Sequence, residues 1–117
     1  MREIEKRMIK AIKSKKNFRC TNTDVQWSGD FCKVYLHDNL IATLEVGFLS
    51  VDQMKLTLCG WPTPTTRMRL NALCEGLLGE RPFTQRKGVQ YFREDPIESD
   101  DLIAVNTYQE KEHWKVA

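Results

Sequence analysis

Two runs of strand-forming residues, Phe31–His37 and Leu40–Val46, are separated by only Asp38 and Asn39. So short a link brings the second run straight back along the first, as an antiparallel hairpin. Both link residues tolerate the positive φ that a two-residue turn demands. The turn pairs His37 with Leu40, Leu36 with Ile41, Tyr35 with Ala42 and Val34 with Thr43. In that register Val34, Leu36 and Ile41 share one face, and Tyr35, Leu40, Ala42 and Leu44 share the other. A hairpin apolar on both faces belongs in the middle of a sheet.

Other strands extend this hairpin. Thr23, Val25 and Trp27 alternate before the break at Ser28-Gly29-Asp30. A turn region over Gly47–Gln53 leads into Met54–Leu58, whose Met54, Leu56 and Leu58 share a face. Phe83–Gln85 and Val89–Arg93 flank Arg86-Lys87-Gly88 as a second hairpin, Asp95-Pro96 breaks the chain, and Leu102–Val105 reads as a last strand. Residues 109–117 are polar apart from Trp114 and Val116 and read as a frayed end.

Two helices complete the pattern. Thr63 is placed to cap a helix with Pro64 in its first turn; Thr65 is a second choice of cap. Leu70, Leu73, Cys74, Leu77 and Leu78 then follow at the spacing of one buried face. Gly79 suits the C-terminal cap, and Pro82 prevents continuation. Arg67, Arg69, Asn71 and Glu75 fall outside that stripe. Residues 2–16 form the other helix, with Ile4, Met8, Ala11 and Ile12 on one face and Arg2, Lys6, Lys10 and Lys13 on another. The expected fold is α+β: a twisted antiparallel sheet of about five or six strands, one face covered by the 64–78 helix, with the basic first helix beside it. The predicted core includes Leu70, Leu73, Leu77, Val34, Leu36, Ile41, Leu56 and Leu58.

At 117 residues the chain suits one domain. Its charge is unevenly spread. Residues 1–19 hold eight basic and two acidic residues, 20–92 hold seven of each, and 93–117 hold three basic and seven acidic. This divides the chain into a basic helix (1–19), a balanced α+β core (20–93) and an acidic C-terminal segment (94–117). No continuous apolar stretch marks an export signal or a membrane span, so a reducing compartment and free thiols are expected for Cys20, Cys32, Cys59 and Cys74. The cysteines form no close pair and the two histidines, His37 and His113, lie far apart, so no metal and no cofactor is expected.

Catalytic signatures are absent: there is no nucleophile elbow, Walker loop or H-E-x-x-H. His37 beside Asp38 is a weak pair, because adjacent strand residues point to opposite faces and a turn Asp usually serves the backbone. Arg67 and Arg69 lie in the first turns of a Thr-capped helix, where free N–H groups attract phosphate. The plainer reading leaves both arginines in water and lets Asn71 hydrogen-bond a nearby loop. Trp61, after Gly60, is expected to close the edge of the core; stacking on a base is the alternative.

The segments KVYLHDNLIATL, LTLCGWPTPTTRMRLNAL and RKGVQYF, together with the opening IKAIKSKKNFRCTNTDV, resemble a family of small accessory proteins of tailed bacteriophages. The most specific part is GWPTPTTRMRLNAL. Asp38 departs from the family pattern, which carries glycine in that turn; either residue suits it. The resemblance implies a phage origin and action in the host cytoplasm, and it carries no catalytic residues.

These readings point to a non-enzymatic binding protein that inhibits or redirects a host protein. The alternative is binding of DNA or RNA through Lys6, Lys10, Lys13, Lys15, Lys16, Arg67 and Arg69. A net charge of +2 and a pI of about 8.4 weigh against a dedicated nucleic-acid binder, for which a pI above about 9 is usual.

Overall fold

The computed structural model describes residues 1–47, 50–105 and 109–110, the side chains of 50–52 and 109–110 excepted. Helix α1 (Glu3–Lys13) buries Met8, Ile9, Ala11 and Ile12. The meander that follows consists of β1 (Phe18–Cys20), β2 (Thr23–Ser28), β3 (Phe31–Leu36), β4 (Asn39–Val46) and β5 (Ser50–Leu56). Two short late strands, β9 (Ile103–Val105) and β10 (Gln109–Glu110), both pair with β5 and complete a seven-stranded antiparallel sheet. β5 thus begins inside the segment expected as a turn. Gln109 and Glu110 are paired, while the rest of the expected frayed end, 111–117, lies outside the described residues.

The β3–β4 turn differs from the sequence reading by one residue. His37 and Asp38 occupy it, with φ of 50° and 63°. Leu36 therefore faces Asn39 and Tyr35 faces Leu40, and the register shifts before Val34 meets Ala42. Ile41 is the extra residue of this bulge, which lets Ile41 and Ala42 both be buried. Val34, Leu36, Ile41, Ala42 and Leu44 all join one core. The hairpin is central in strand order, but it is apolar on one side only. Its other face keeps Phe31, Lys33 and Glu45 exposed, with Tyr35 and Leu40 half-buried. An antiparallel sheet tolerates one face in water.

Helix α2 (Pro64–Leu78) has the expected ends. The Thr63 hydroxyl accepts the Thr66 backbone N–H at 3.2 Å, and Gly79 closes the helix at φ 77°. All eight predicted core residues are buried. Burial on α2 extends beyond the leucine stripe to Thr66, Arg69, Asn71 and Ala72, because the helix has neighbours on more than one side. One neighbour is α1. An ideal Cβ on Gly76 would come within 2.7 Å of the Ile9 side chain, so glycine allows the two helices to approach. Another is a separate three-stranded sheet of β6 (Phe83–Arg86), β7 (Val89–Phe92) and β8 (Asp95–Ile97). The Asn71 amide fixes this sheet to α2: it donates to the Phe83 carbonyl and accepts the Phe83 N–H, both at 2.8 Å. The Phe83 and Phe92 rings pack 5.1 Å apart at the same junction. β8 contains Pro96, which is tolerated because β8 is an edge strand.

Candidate binding surfaces

The outer side of α1 is a basic ridge. Lys6, Arg7, Lys10, Lys15 and Lys16 are exposed, and Lys13 is half-buried, with burial lowering its pKa. Some of these cations have local partners. Arg7 lies over the Phe18 ring at 5.1 Å; Lys15 pairs with Asp30 at 2.8 Å and lies near the Trp27 ring. Exposed pairs of this kind contribute about 0–1 kcal/mol, so they leave the charge available. Glu3 is the one exposed acid on the helix; Glu5 is buried.

Arg67 and Arg69 do not join this ridge. Arg69 is 2% exposed. Its Nη1 donates to Glu5 Oε2 at 3.1 Å, its Nη2 to Asn22 Oδ1 at 3.4 Å, and its Nε is buried without a partner. Burial lowers the Arg69 pKa, opposed by the Glu5 charge. Glu5 also accepts the Arg2 backbone N–H at 3.0 Å, so one carboxylate both caps α1 and ties it to α2. Arg67 is half-buried and donates to the Pro62 carbonyl and to Gln90 Oε1 at 2.9 and 3.2 Å. Both arginines therefore act first as internal struts, and Arg69 has no surface to offer a partner.

Trp61 overturns the packing expectation: it is 59% exposed. Its backbone is held in place. Cys59 and Gly60 have φ of 55° and 77°, and the Trp61 N–H closes that turn on the Leu58 carbonyl at 2.9 Å. The Thr63 N–H donates to the Trp61 carbonyl and the Gly60 N–H to the Ser99 carbonyl, each at 2.8 Å. The indole thus stands at the mouth of a cleft of about 490 Å³ between the β3–β4 turn and the start of α2. Sequence reading missed this cleft, because its walls come from two separate segments, Leu36–Ile41 and Leu58–Thr66.

The thiols divide by depth. Burial pushes Cys32 and Cys74 up to about 12, which leaves them protonated and unreactive. Cys20 and Cys59 are half-buried. Among the described residues no group of three or more His, Cys, Asp or Glu side chains is placed to hold a metal, and no helix is long and apolar enough to cross a membrane.

Neither a curated protein nor a solved structure matches the chain. The profile of the Kyanoviridae Gp96 protein does, over residues 1–115, and the chain is therefore a member of that family of phage proteins.

Proposed function

We propose that this phage protein is a non-enzymatic binder that inhibits or redirects a host protein with an acidic surface, using the outer side of α1. The observation that supports the reading is the mainly basic ridge of Lys6, Arg7 and Lys10 on a helix whose opposite side is locked into the core, with Glu3 as its one exposed acid and with Lys15 and Lys16 just past the end of the helix. A rigid row of cations steers and orients an acidic partner, with an effect that weakens in salt.

A nucleic-acid partner would use the same ridge, and phosphate is the natural competitor. The set is small for that role. Arg69 is withdrawn to Glu5, Arg67 is engaged by Pro62 and Gln90, and what remains lies on one helix of 11 residues and on Lys15 and Lys16 just past its end. Such a helix is about 16 Å long, whereas strong duplex binders neutralise on the order of 6–10 phosphates. The described part of the acidic C-terminal segment adds exposed Glu94, Asp95, Glu98, Asp100 and Asp101, which repel phosphate.

The test is capture from nuclease-treated host lysate on immobilised protein, alongside a variant with Lys6, Lys10, Lys13, Lys15 and Lys16 changed to glutamine. The expected result is an acidic host protein retained by the native chain, released by salt and lost with the variant. Retention by both chains would refute the ridge as the contact. Recovery of nucleic acid alone from a parallel lysate without nuclease would replace the host-protein reading with the other.

A further inference from the structure

The cleft beside Trp61 is separate from the α1 ridge: no α1 residue lines it, and nothing about it depends on the host-protein reading. Its base is apolar, formed by the buried side chains of Leu36, Ile41 and Leu58. Its rim carries the exposed indole of Trp61, the exposed imidazole of His37 and the half-buried side chains of Asn39 and Thr65. No hydrogen bond joins the Asn39 amide or the Thr65 hydroxyl to another described residue. Among the described residues that line it, none is Asp, Glu, Lys or Arg.

We infer that this cleft binds an uncharged nitrogen heteroaromatic ring of the nucleobase type. Three observations converge on that chemistry. The volume of about 490 Å³ falls in the range of small-molecule sites and exceeds what one ring requires. A flat indole that is 59% exposed, on a backbone fixed by three hydrogen bonds, offers a stacking surface. An unengaged carboxamide presents a donor and an acceptor side by side, the pattern that reads the edge of adenine. The lack of Asp, Glu, Lys and Arg among the described lining residues disfavours ammonium and carboxylate ligands, which would lose water there without gaining a salt-bridge partner of that kind. A purely aliphatic ligand would fill the base and leave the amide unsatisfied.

The base can come from a free nucleoside or from an unpaired position in a strand; the recognising chemistry is the same. The experiment follows the Trp61 indole N–H signal by NMR during titration with adenosine, with a short single-stranded oligoadenylate and with indole as a ring that lacks the hydrogen-bonding edge. The expected result is a saturable adenosine shift at Trp61 that leaves Trp27 unmoved, with indole weaker than adenosine. Trp61→Ala, made at an exposed position, is expected to weaken adenosine by about tenfold or more, the weight of one lost stack. Trp61→Phe should retain part of that affinity, and Asn39→Ala should remove the preference for adenosine over indole. Oligoadenylate tighter than adenosine by about tenfold identifies a strand as the source; equal affinity per base identifies the free nucleoside. No saturation by about 10 mM of either probe, or indole equal to adenosine in both native and Asn39→Ala protein, would overturn the inference.

Discussion

Helix α1 handles charge in opposite ways on its two sides. Inside, Glu5 and Arg69 are each about 2% exposed and meet at 3.1 Å. Outside, Lys6, Arg7 and Lys10 remain in water. The inner charges are few, matched and indispensable once buried. The outer ones are many, mostly of one sign, and expected to matter little to folding. A buried pair returns its desolvation cost only through its partner, whereas a hydrated lysine has lost little to begin with. The same residue types therefore have different consequences on the two sides.

Breaking the inner pair is the severest way to test this contrast. Arg69→Met leaves a buried carboxylate, and Glu5→Gln leaves a buried guanidinium. Each is expected to cost about 3–5 kcal/mol in urea unfolding, against a total of about 5–15 kcal/mol for a domain of this kind. Replacing both, with Glu5→Leu and Arg69→Met, should recover most of the loss. A deficit of about 1 kcal/mol should remain because Glu5 also caps α1. Single changes costing under about 1 kcal/mol would mean that water reaches the pair.

The docking of the inner side can be tested sterically as well. Gly76→Ala drives a methyl group to 2.7 Å from Ile9 and is expected to cost about 1–3 kcal/mol. Ile9→Ala should then be less damaging in the Gly76→Ala background than in the native chain. Strict additivity in that double-mutant cycle would show that the helices do not meet as described.

Both halves of the inner pair were visible in the sequence in a form that periodicity alone overlooks. Arg69 stands four residues before Leu73 and eight before Leu77, on the edge of the leucine stripe. Glu5 stands three, four and seven residues before Met8, Ile9 and Ile12. Opposite charges each bordering the apolar stripe of its own helix are the signature of a buried pair. The leucine stripe, the Thr63 cap and Gly79 were legible because each is a local signal. The β3–β4 turn was off by one because His37-Asp38 and Asp38-Asn39 are both acceptable turns locally, and the bulge at Ile41 restores the inward set. β8 was hidden by Pro96, whose edge position only the assembled sheet reveals. The exposure of Trp61 was illegible for the same reason: it depends on which segments come to lie beside Leu58 and Thr63.

The interior that accepts a matched pair should reject a lone charge, and the buried thiols measure this. Cys32 and Cys74 are pushed up from 9.0 to about 12. The unfolded chain loses these protons near the ordinary value while the folded chain keeps them. Their contribution to stability is therefore full below pH 9 and falls as pH rises toward 12, by at most about 1.4 kcal/mol per pH unit for each thiol. Urea unfolding from about pH 8 to about pH 10 should show this decline, and Cys74→Ala should make it shallower. An identical slope in native and variant protein would place the thiol in contact with water.

The smallest expected effect is on the outer side, and it is the one that separates attraction from architecture. Glutamine at positions 6, 10, 13, 15 and 16 removes charge, and at the helical positions 6, 10 and 13 it keeps a good helix propensity. Each change is expected to alter stability by no more than about 0.5 kcal/mol. The exposed Lys15–Asp30 pair adds little to that. The thermal midpoint should consequently stay nearly constant, while association with an acidic partner slows and loses much of its salt dependence. Were the partner DNA, each phosphate contact removed would reduce the logarithmic salt slope by about 0.9. A variant that unfolds, yet binds normally once refolded, would reverse the assignment. The lysines would then belong to the architecture, with Lys15 at Asp30 and the half-buried Lys13 as the first places to look, and the contrast between the two sides of α1 would fail.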